Sequence, residues 1–88
     1  MMLVGADIKV GRCYRGKRPA NSYGLVNDRS VLYVSSLGNY VQYDSPSVAP
    51  GRKFPRVTME AFLKWAERDV TKELPGEQFQ SWSAFRSA

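Results

Sequence analysis

The chain has no histidine, a single cysteine and no long apolar run. Without histidine, the side chain that most often moves protons near neutral pH is missing, which argues against an enzyme. A catalytic reading would rest on Asp44 beside Tyr43, or on Cys13 between Arg12 and Arg15, whose cations would lower a thiol pKa. Cys13 falls in a strand-like run and reads more simply as a small packing residue. One cysteine forbids an internal disulfide, and with no CxxC pair and only scattered carboxylates no metal site or cofactor is expected. The opening MMLVGADI carries no preceding positive charge and only a few apolar residues, so it reads as neither a signal peptide nor a membrane span. That reading and the cysteine usage point to a cytoplasmic protein without a membrane partner. No internal repeat or low-complexity segment is present.

What remains is an 88-residue chain, 43% hydrophobic and 12% aromatic, apolar enough to bury one small core. Its net charge of +5 is unevenly placed. Residues 1 to 56 hold nine basic residues against three acidic, whereas residues 57 to 88 hold four against five. A basic body is therefore followed by a nearly neutral end. The body is organised around Val31 to Tyr43, VLYVSSLGNYVQY, where two Val- and Tyr-rich runs flank a loop with Gly before Asn, a hairpin pattern. Alternation would put Leu32 and Val34 on one face and Val31 and Tyr33 on the other. Neither face is polar, so the pair reads as central and covered on both sides.

Before the hairpin, Ile8 to Arg15 reads as one strand bent at Gly11, followed by a positively charged loop from Gly16 to Ser22. Tyr23 to Val26 is expected to pair with Val31 to Val34 across Asn27–Ser30. Beyond Tyr43, Asp44 to Gly51 holds two prolines and forms the longest loop, and Pro55 demotes Phe54 to Val57 to an edge strand. A helix follows from Met59 to about Thr71, with Thr58 as N-cap, Glu60 in its first turn and Val57 and Phe62 as a hydrophobic staple. Met59, Phe62, Leu63, Ala66 and Val70 share its apolar side, Glu60 and Lys64 make an i,i+4 pair, and Pro75-Gly76 stops it.

These elements make one α+β domain over residues 1–74: a small, strongly bent antiparallel sheet or barrel of about five strands capped by one helix near the C-terminus. An aromatic tail over residues 75–88, packed back or flexible, completes the chain.

Two surfaces are candidates for function. Lys9, Arg12, Arg15, Lys17 and Arg18, extended by Arg52, Lys53 and Arg56, form a basic cluster of the kind that binds phosphate backbones. Tyr14, Tyr23, Tyr33, Tyr40 and Tyr43 lie in the same body, and an aromatic on an exposed sheet face can stack a base; Tyr14 and Tyr23 are nearest the basic loop. The leading expectation is non-catalytic nucleic-acid binding. The second candidate is Trp65 with Phe79, Trp82 and Phe85, residue types that anchor protein interfaces. It implies an interaction module that meets an acidic protein partner. The plainer reading of that group is that the tail aromatics fold back over the helix.

The short bent strands, charged first loop and terminal helix resemble the SH3-like small barrels of bacterial and phage proteins over roughly residues 8 to 70. Within that group, KOW-type RNA-binding modules have an early glycine and a Gly-x-Val, to which Gly16 and Gly24-Leu25-Val26 are similar. The resemblance implies an SH3-like barrel and a binding role without choosing the partner, which for a phage protein includes a host enzyme to be inhibited.

Overall fold

In the computed structural model, which describes residues 2–74, 76 and 78–87, the chain runs through β1 (Cys13–Gly16), the small hairpin β2 (Asn21–Ser22) and β3 (Leu25–Val26), then β4 (Arg29–Val34), β5 (Tyr40–Asp44), β6 (Arg56–Thr58), α1 (Met59–Trp65), β7 (Ala66–Asp69) and α2 (Trp82–Ser87). Five strands form one antiparallel sheet in the order β6-β5-β4-β1-β7, open at both edges. The hairpin expected between Val31 and Tyr43 is present as β4 and β5. Its loop is held by the Ser35 hydroxyl, which accepts from the backbone amides of Asn39 and Tyr40.

The core lies on one face of this sheet, under α1. Phe62, fully buried, stands edge-on to Tyr14 at 5.7 Å between ring centroids, with Ile8, Val31, Val41, Tyr43, Met59 and Ala66 around it. A smaller cluster of Cys13, Val70 and Phe79 occupies the other face of β1. Alternation explains the split, since Tyr14 and Gly16 point to the main core while Cys13 and Arg15 point to the second. β1 is therefore the strand covered on both sides, and the expectation that β4–β5 would be so covered is corrected. A bulge at Leu32 turns Val31 and Val34 to the same face, which leaves Leu32 and Tyr33 exposed.

Three further expectations are corrected. Tyr23–Val26 does not pair with Val31–Val34; Leu25 and Val26 fold back on Ser22 and Asn21, because Tyr23 and Gly24, both at positive φ, make a two-residue turn. Strand β1 starts at Cys13, since Val10 and Gly11 turn and the Arg12 amide bonds Lys9 O. The helix begins where expected, with the Thr58 hydroxyl accepting from the Ala61 amide at 3.1 Å, but it ends at Trp65 and not near Thr71. Residues Ala66–Asp69 are extended and pair with β1, Tyr14 opposite Asp69 and Gly16 opposite Ala66. A strand buried on both faces needs partners along both edges, and that demand outweighs the weak helical preference of Ala-Glu-Arg-Asp. Pro75, read as the helix stop, lies outside the described residues.

Residues 78–87 lie against the sheet and the small hairpin. Gln80 O accepts from the Val26 amide, the Trp82 amide donates to Gly24 O, and Phe79 fills the second cluster. They cover β1 and β3 and not the helix, a further correction.

Candidate functional site

Strands β4, β5 and β6 present an outward face built by the register of their pairs. Val41 and Tyr43 point into the core, so Tyr40 and Gln42 point out. Gln42 pairs with Tyr33 on β4 and with Arg56 on β6, which sets Tyr33, Gln42 and Arg56 in one row across three strands. Tyr40, paired with Thr58, stands in the next row, and the Arg56 guanidinium lies 5.9 Å from the centre of its ring. Gln42 Nε2 donates to Phe54 O, which fixes the start of β6 against this face. Tyr33 and Tyr40 are 49% and 45% exposed, and Leu32 and Phe54 are exposed beside them. Arg52 and Lys53, also exposed, lead into Phe54 and Arg56 along the chain. Among the described residues, none of Arg52, Lys53 and Arg56 makes an ion pair. The face thus holds the Tyr33 and Tyr40 rings, the Gln42 amide and Arg56, with Phe54, Lys53 and Arg52 next along the chain and, among the described residues, no buried acid, base or nucleophile.

The other cations are distributed differently. Arg15 is buried: Nε and Nη2 donate to Asp28 Oδ1 and Oδ2, both at 2.9 Å, Nη2 also donates to Gln80 Oε1, and the guanidinium lies over the Phe85 ring. Tyr14 is fully buried, its hydroxyl donating to Asp7 O and accepting from the Lys9 amide. Neither reaches a phosphate or a base, and both leave the list of candidate ligand contacts because a strand covered on both faces carries them. Arg12 sits at the rim with Nε 2.7 Å from Asp69 Oδ2. The bond raises the Arg12 pKa, while burial pushes Asp69 up and its hydrogen bonds from Thr71 and Arg12 more than reverse this. Lys9, Lys17 and Arg18 are exposed; Lys9 borders Glu67 and Asp69, and Lys17 borders Leu63 and Glu67, both beside β7, at the opposite edge of the sheet from β6. The basic cluster of the sequence is therefore divided, and only its second half adjoins exposed aromatics.

The chain matches no protein-family model, and no curated protein or solved structure resembles it significantly.

The aromatic group proposed from the sequence as a docking surface is likewise dispersed. Phe79 is buried, and Trp82 and Phe85 pack on one another at 5.4 Å. Trp65 is half-buried against Phe62, with the Arg29 guanidinium 4.1 Å above its ring and 4.4 Å from that of Tyr43. Arg29 thus lids the main core, and burial there lowers its pKa. Sequence reasoning assigned it no role; the missing information was which strand places it over Trp65. Cys13 is buried, and burial pushes its thiol up to about 12, away from reactivity. Among the described residues no group of His, Cys, Asp or Glu is placed to hold a metal, and no helix is long and apolar enough to cross a membrane.

Proposed function

We propose that this protein is a non-catalytic nucleic-acid-binding module of SH3-like architecture that works through the outer face of β4, β5 and β6. The observation that carries the reading is the row Tyr33–Gln42–Arg56 with Tyr40 beside it: exposed rings on a rigid sheet, continuous with unpaired cations. Rings in this setting stack unpaired bases whatever their identity, and Arg52, Lys53 and Arg56 supply the phosphate contacts. The five bent strands, the loop bearing Lys17 and Arg18 and the capping helix support the SH3-like part. The Arg56 guanidinium, 5.9 Å from the centre of the Tyr40 ring, makes no ion pair among the described residues, which supports a role in contacting phosphate.

Fluorescence anisotropy with labelled single-stranded oligonucleotides across a salt series tests this. Wild-type protein should bind at low salt with affinity falling as salt rises, and Tyr33→Ala/Tyr40→Ala should lose about 1 to 3 kcal/mol for each stacked base. Removing Arg52, Lys53 and Arg56 together should flatten the salt dependence by about 2 in log–log slope. Absence of binding at low salt overturns the reading and turns the same face toward an acidic protein partner.

A further inference from the structure

The tip of the β2–β3 hairpin carries a feature that the hairpin itself does not need. Tyr23 is 92% exposed and lies at φ 53°, followed by Gly24 at φ 85°. A two-residue turn with both central residues at positive φ favours Asn or Gly at its first position, and a bulky aromatic there is an outlier that asks for a purpose. The turn is firmly held. The Asn21 side chain accepts from the Gly24 amide at 2.8 Å, and Gly24 O accepts from the Trp82 amide of the C-terminal segment.

Opposite Tyr23 stands the long loop after β5. Pro46, Val48, Ala49 and Pro50 line, with Tyr23, an open apolar cleft of about 440 Å³. Two turns shape this wall, one closed by the Val48 amide on Ser45 O and the other by the Arg52 amide on Ala49 O. Val48 and Ala49 also line the adjoining cleft, whose other side is Arg52 and Lys53. Among the described residues, no carboxylate borders either cleft. An aromatic wall, a proline-rich wall and a cationic bank alongside form a place for a flat, uncharged ring attached to an anionic chain.

Resting on the nucleic-acid reading above, we infer that the cleft between Tyr23 and Pro46–Pro50 is a second base-binding site, which takes one unpaired nucleobase of a single strand whose phosphates cross Arg52 and Lys53 from the β4–β6 face. Charge complementarity selects this occupant. The bank is cationic on the side that continues into Phe54 and Arg56, so one strand engages both sites in sequence. A duplex does not suit the cleft, because its bases are paired and stacked inside and present no free ring to it.

The test compares a short oligothymidylate of about 4 nucleotides with a long one of about 12, both within the range of known single-strand site sizes. Affinities are read by anisotropy for wild type, Tyr23→Asn and Tyr23→Phe. Asn suits the positive φ, so Tyr23→Asn should melt at or above the wild-type temperature and a binding loss cannot be ascribed to unfolding. The long strand should bind wild type more tightly than the short one. Tyr23→Asn should lose at least about 5-fold on the long strand and nothing on the short, with Tyr23→Phe retaining both. Equal binding of the long strand by wild type and Tyr23→Asn overturns the inference while leaving the sheet-face reading intact. Equal competition by a duplex of the same length, or by polyglutamate, also overturns it. Failure of wild type to bind either length at low salt overturns the sheet-face reading and this inference together.

Discussion

Replacing Asp28 by Asn isolates what Arg15 does. The Arg15 and Asp28 side chains are 5% and 0% exposed, so both charges are out of water and each depends on the other. Asn keeps the shape but supplies one oxygen where two accepted, and sets an amide N–H against a guanidinium N–H. A buried cation that loses its counter-ion costs about 3 to 5 kcal/mol, even with Gln80 Oε1 and the single oxygen of the new amide left as neutral acceptors. For a chain of 88 residues the whole stability is on the order of 4 to 13 kcal/mol, so Asp28→Asn should remove a large part of it. Urea unfolding followed by the fluorescence of Trp65 and Trp82 measures this. The double variant Arg15→Met/Asp28→Leu removes both desolvation costs and should recover most of the loss, although Gln80 and Phe85 also lose their partner. Once folded, it should bind oligonucleotides as wild type does, since neither side chain reaches the surface. A cost below about 1 kcal/mol for Asp28→Asn, the size of an exposed ion pair, would refute the buried-pair reasoning.

Two other perturbations follow from the packing of β1. A Cβ on Gly16 would overlap the Trp65 indole at Nε1, and the ring is held between Phe62 and Arg29, so Gly16→Ala should destabilise by about 1 to 3 kcal/mol in the same urea assay, with an altered Trp65 emission; a gain in stability would show that the ring moves aside freely. With its thiol pKa raised to about 12 by burial, Cys13 should resist thiol reagents in the native state and react on unfolding. The neutral thiol is the form the fold retains, so its contribution is complete below the ordinary value of 9.0 and is lost as pH climbs toward about 12; urea midpoints should fall more steeply with alkaline pH in wild type than in Cys13→Ala, where the buried Tyr14 phenol, its pKa also raised, leaves a smaller decline.

Local chemistry was enough for the elements that rest on short-range rules. Thr58 caps α1 because a hydroxyl beside free helix amides does so in any context, and the β4–β5 hairpin follows from two β-branched and tyrosine-rich runs meeting at Gly38. The small α+β class, with one antiparallel sheet under a helix, followed from the number and order of such elements. Charge placement also showed that residues 1 to 56 carry the positive charge.

Pairing across the chain was not legible, because it depends on which edges are left open once other strands have docked. The open edge of a doubly covered β1 drew Ala66–Asp69 out of a helix that periodicity extended to Thr71, and the Leu32 bulge exchanged the faces of β4. Those two events decided which cations and tyrosines meet. Arg15 and Tyr14, adjacent on β1, were carried to opposite buried faces, whereas Tyr33, Tyr40 and Arg56, separated along the chain, were brought together on one exposed surface. Residue type sets what a side chain can bind, and the amino-acid sequence alone states that much. Whether water, a ligand or another side chain reaches it is a matter of burial, which only the packed strands decide.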